Sequence, residues 1–217
     1  MSTEPTATPN PLSERIGDAS AVLVLAPSLD AHDDEACLDL LTVTEPAHEN
    51  VLSVTITQSA DKRVQLWDAH VDERPARVGI ISAGEFTRSA ATATSSSPQR
   101  TPSQRPPESL RIETVSDPGD LTGLGIAIST FLSEWAENET QTVACFHSIT
   151  PLLQYAELQR VFRFLHVLTG RFESMGVVAH FHLDPGAHDQ QTISTLTPLF
   201  DAVVDLNDEG DWCVRQR

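Results

Sequence analysis

Four histidines and one run of acids are the residues of this chain best suited to chemistry. Residues 180–189 read HFHLDPGAHD. Alternate residues of a strand share a face, so His180 and His182 can converge on one metal ion, with Asp184 or His188 completing the set. Imidazole nitrogens select a borderline cation such as zinc over magnesium. The same rings, joined by His147 of VACFHS, would also suit a small-ligand or pH-sensing site, because imidazole titrates near neutrality. They would equally suit a plain hydrogen-bonded filling. The acids lie in the loop PSLDAHDDE at 27–35, which holds Asp30, His32, Asp33, Asp34 and Glu35 after the apolar run AVLVLA. Neither Ser28 nor Ser148 has the glycine flanks of a hydrolase nucleophile, so no catalytic residue is assigned.

The elements that must position these residues alternate regularly. Apolar runs predict strands at 21–26, 51–57, 77–82, 110–115, 142–146, 176–182 and 200–206, with a closing segment at 211–217. Between them, helical spacing predicts helices over 33–41, 61–67, 120–136, 152–169 and 190–199, and a short one is possible over 12–16. Most of these strands are continuously apolar, which argues for a parallel sheet covered on both faces, an α/β domain. Residues 19–217 form the expected single domain, after a Thr/Pro-rich tail at 1–18 that is disordered or weakly helical. A Ser/Thr/Pro-rich insertion at 86–108 interrupts it and is expected to be disordered.

The stretches AVLVLAPSLDAHDDEACLDLL and FHSITPLLQYAELQRVFRFLHVLTGRFESMGVVAHFHLDP carry a family resemblance. Over about 20–84 and 109–217 the chain resembles RecA/KaiC-type P-loop ATPase domains, and most nearly the KaiC-like, transducer-like proteins of haloarchaea. The resemblance implies a three-layer α/β/α fold around a mostly parallel sheet. It also implies that two motifs are degenerate. The phosphate-loop position, Pro27, Ser28, Asp30, His32 and Asp33, has no glycine to turn amides onto a phosphate and no lysine to reach one. Its acids stand where phosphate would, as anions favoured by the helix dipole. At the magnesium-site position His147 replaces the acid, with Ser148 after it, and imidazole suits a hard cation poorly. If the strand order of the family holds, His147, His182 and His32 gather where Mg-ATP once sat. The H-x-H-x-D portion is also similar to a ligand set of metallo-β-lactamase-like hydrolases, but Pro185 stands where that pattern continues with histidine.

Composition narrows the function further. Among 217 residues, 31 acids face 14 basic residues for a net charge of -17, and Lys62 is the only lysine. Such an acidic surface is expected of a protein kept soluble in a salt-rich cytoplasm, and it repels nucleic acid. No segment has the length or apolarity of a membrane span. Cys37, Cys145 and Cys213 lie far apart and read as buried thiols of a reducing compartment. The expected function is therefore a KaiC-like domain without ATP hydrolysis, with no cofactor, regulating or scaffolding through a protein partner or self-association. The alternative is a metal-dependent enzyme, or a small-ligand or pH sensor, built on His147, His180, His182 and His188.

Overall fold

A computed structural model describes residues 11–28, 31–56, 58–71, 73–84, 110–137, 140–207 and 209–217. The chain runs α1 (Leu12–Arg15), β1 (Ala21–Leu25), α2 (Ala31–Leu40), β2 (Glu49–Ile56), α3 (Ala60–His70), β3 (Arg77–Ala83), β4 (Leu110–Val115) and α4 (Leu121–Trp135). It continues through β5 (Gln141–His147), α5 (Ile149–Tyr155), α6 (Leu158–Ser174), β6 (Val178–Leu183), α7 (Gln190–Leu196), β7 (Ala202–Leu206) and β8 (Trp212–Gln216). The strands form one sheet in the order β4-β3-β2-β5-β6-β1-β7-β8. All its pairings are parallel except that of β8 with β7. The insertion at 86–108 lies outside the described residues.

The continuous apolarity of the central strands follows from helices on both faces. One face, carrying Leu23, Leu52, Val54, Phe146 and Phe181, packs against α4 to α7 in the larger core. The other, carrying Val22, Val24, Val51, Val143 and Cys145, packs against α1 and α2. Edge strand β4 alternates half-buried and exposed residues, as an edge should. On β3 the approach is so close that a Cβ on Gly79 would stand 2.7 Å from the Phe131 ring, which is why no larger residue fits there. Asp120 opens α4 by accepting from the Gly123 amide at 2.8 Å, and Asp189 opens α7 in the same way through Thr192.

Two expectations need correction, the single helix over 152–169 and the burial of Cys213, and two are filled in. The helix predicted over 152–169 is two helices, α5 and α6, because Ser148 caps an earlier start and Ala156 turns extended and buried between them. The closing segment is a strand, β8, paired antiparallel to β7. The short helix expected at 12–16 is α1, whose Leu12 and Ile16 are buried with α2 and β1. Cys213 is exposed, because β8 is an edge strand with only one neighbour.

Candidate functional site

Three short patterns meet on the face of the sheet beneath α2. On β5, Cys145 and His147 alternate with Phe146; on β6, His180 and His182 alternate with Phe181. The two strands are paired with Cys145 opposite His180 and Phe146 opposite Phe181. Period-two alternation therefore sends both phenylalanines into the large core and all four polar side chains to the other face. Above them, Asp33 and Cys37 stand four residues apart on α2, on the helix face that meets the sheet. Arg63 reaches in from α3.

Two linked networks result. The Asp33 carboxylate accepts from His182 Nδ1 at 2.5 Å and from His147 Nε2 at 3.2 Å. The rings of His147 and His182 lie 4.8 Å apart. Beside them Cys37 Sγ lies 3.2 Å from Cys145 Sγ, 3.3 Å from His180 Nε2 and 2.8 Å from Arg63 Nη2. All of these side chains but His147 are essentially buried, and His147 nearly so.

Burial sets charge against desolvation in each group, and the partners decide the outcome. Burial alone would raise the Asp33 carboxyl, but the charge of His182 and the two ring hydrogen bonds hold it well below the usual carboxylate range. Burial would lower His182, yet the Asp33 carboxylate raises it to about 9, so the two form an imidazolium–carboxylate pair at neutral pH. His147 and His180 are both lowered, chiefly by burial, and stay neutral. For Cys37, burial is outweighed by the Cys145 hydrogen bond and the Arg63 charge, which bring the thiol well below its ordinary value. Cys145 goes the other way, raised by burial and by its hydrogen bond to Cys37.

The remaining sequence candidates serve other ends. Asp184 accepts from the Ser28 amide at 2.9 Å and the Gly186 amide at 2.9 Å, which ties the loop after β1 to the loop after β6. His188 Nε2 meets Thr150 Oγ1 at 3.2 Å. Ser148, which follows His147 through a cis peptide, caps α5 through the Thr150 amide. Pro27, Ser28 and His32 are exposed; Asp30 lies outside the described residues. Asp33 is therefore not a free anion at a helix start, because two histidines take up its oxygens. Cys37, Cys145 and Arg63 were not candidates in the sequence. The matched tripeptides CFH and HFH, placed by the same period of two, are the signal that points to Cys145.

The model of DUF7504, described as a family of unknown function, matches residues 19–206. No curated protein sequence matches the chain. Two solved structures from the archaeon Pyrococcus horikoshii share the fold. One, PH0250, covers 94% of this chain and 91% of its own at 8% identity and a TM-score of 0.58. The other, the KaiC-like protein PH0186, covers 91% and 78% at 13% identity and a TM-score of 0.53. The architecture is thus the RecA/KaiC-like three-layer α/β/α fold. Among the described residues no helix is long and apolar enough to cross a membrane.

Proposed function

We propose, from the premise that the chain belongs to DUF7504, that it is a KaiC-like domain that has lost ATP hydrolysis and acts by binding, as a regulatory or scaffolding module. The observation that carries this reading is the placement of Asp33. Its carboxylate sits where α2 begins beside the ends of β1 and β6, and it is bonded to the ring that replaces the magnesium-site acid. That network fills the start of α2 with the chain's own buried side chains, and phosphoryl transfer depends on positioning and metal that these residues do not supply. A metal-dependent enzyme on the same cluster is less well supported, because Cys37, Cys145, His180 and His182 are all buried and a catalytic metal keeps an open position. Mg-ATP at saturating concentration is expected to leave the melting midpoint of the full chain unchanged in high-salt buffer. A true ligand at about a hundred times its Kd would add about 2.7 kcal/mol and raise the midpoint, and such a rise would overturn the reading.

The binding half of the proposal draws support from a groove between α4 and α6. Ile126 and Val167 line it at 64% and 69% exposure. Exposed Arg160, Arg163 and Arg171 border it on a chain whose net charge is -17. This pairing of apolar ridge and cations fits an acidic protein surface, and a second copy of this chain offers one. Sedimentation should therefore detect self-association that weakens on Val167→Asp. Concentration-independent monomers would exclude the second copy as occupant.

A further inference from the structure

We propose that Cys37, Cys145, His180 and His182 form a structural site for one zinc-like divalent ion, which clamps α2 to β5 and β6. This goes beyond the loss of hydrolysis and does not rest on it. The donor set is two thiolate-forming cysteines and two imidazoles, the combination that closed tetrahedral zinc sites use. One ligand atom from each lies within 4.8 Å of all the others. A tetrahedron with bonds of about 2.0–2.3 Å has edges of about 3.3–3.8 Å, so small side-chain movements close the shell. Two of those edges are already 3.2 and 3.3 Å.

A second, independent observation points to a missing ligand. His182 gives Nδ1 to Asp33, and its Nε2 is buried with no well-formed hydrogen bond among the described residues, its only polar neighbour on that side being the Cys37 sulfur. A buried polar atom left unsatisfied is costly and uncommon, and a metal bond would satisfy it. The carboxylate on Nδ1 is the usual support for a metal-binding imidazole, because it fixes the ring and leaves Nε2 as the donor atom. Charge balances as well. Two thiolates offset a divalent ion, while Asp34 acts on Arg63, whose Nη2 donates to Cys37 at 2.8 Å and lies 3.8 Å from Cys145. On binding, both cysteines are held as thiolates and His182 gives up its Nε2 proton, the displaced protons leaving to solvent, while the one proton of neutral His180 must sit on Nδ1 so that the Nε2 facing Cys37 is free to ligate. No electron is transferred.

The three ligand-bearing elements explain what the ion would do. α2 touches the sheet here through Cys37 and Asp33, whereas β5 and β6 meet through their backbone ladder. A shared metal adds the link that the ladder cannot supply, so metal binding and folding are coupled.

The test uses the full chain without a histidine tag, expressed with added zinc and purified under reducing conditions. Metal analysis is expected to give about one zinc per chain. Cys37→Ser and Cys145→Ser should lose it, while Cys213→Ser, at the exposed cysteine, should retain it. Because a cluster variant can fail to fold, cobalt(II) titration of the unmodified chain is the second readout. It should develop the ligand-field bands of tetrahedral cobalt and a thiolate-to-cobalt charge-transfer band. A folded, fully reduced chain that carries no zinc and shows neither band would overturn the site, and so would zinc that survives in folded Cys37→Ser and Cys145→Ser. None of these outcomes depends on nucleotide, so a failed metal site leaves the ATP result to stand or fall alone.

Discussion

Asp33→Ala is expected to lower the unfolding free energy by about 3–5 kcal/mol, measured by urea denaturation in chelator-containing buffer, where no bound metal contributes. The carboxylate is 5% exposed and is the acceptor for both His182 and His147. Its removal leaves His182, 2% exposed and otherwise held protonated by that carboxylate, to bury an unpaired charge or give up its proton. Either course discards the interactions that offset burial. The magnitude separates two roles for this residue. If Asp33 merely favoured the positive end of α2, its loss would cost about 0.3–1 kcal/mol, the range of a helix-dipole contribution. Asp33→Asn should fall between, since the amide retains one oxygen acceptor and the volume. A loss below about 1 kcal/mol for the alanine variant would place Asp33 outside the histidine network.

Phe181→Ala should cost a comparable amount, about 3–5 kcal/mol. Phe181 stands between His180 and His182 but points to the opposite face, where it is fully buried. Its ring lies 5.7 Å from Phe146, 6.1 Å from Phe172 and 5.2 Å from Phe200, so it joins β6 to β5, α6 and the turn that leads into β7. Alanine there leaves a cavity that four elements would have to collapse to fill. Phe181→Leu keeps most of the volume and should cost less. The same denaturation series tests both, and a loss under about 1 kcal/mol for alanine would mean that the two-faced division of β6 is wrong.

These two residues also mark how far sequence reasoning reached. The period of two in HFH placed His180 and His182 on one face before any fold was known. The apolar strands predicted the parallel sheet, and the family order predicted that β6 lies beside β5. The Cys37–Cys145 pair was out of reach for a physical reason. The cysteines are separated by 108 positions, and their approach depends on the pairing of β5 with β6 and on the angle at which α2 crosses both. Read singly, each looked like a buried apolar thiol. Arg63 was hidden in the same way, as a charge on a short helix with nothing local to mark it as buried. Asp33 was legible as an acid at a helix start, but its partners arrive from 114 and 149 positions away, so the local dipole appeared to explain it. The break between α5 and α6 was missed because the strong stripe from Val161 to Phe172 begins only after it.

In the proposed function this chain's own side chains occupy the place where a KaiC-like domain would hold nucleotide. The most direct measurement is calorimetric titration of Mg-ATP into the purified full chain at high salt, with phosphate release followed on the same sample. The expected result is no saturable binding and no phosphate release above the buffer rate. Saturable binding, with phosphate release that His147→Ala abolishes, would contradict it.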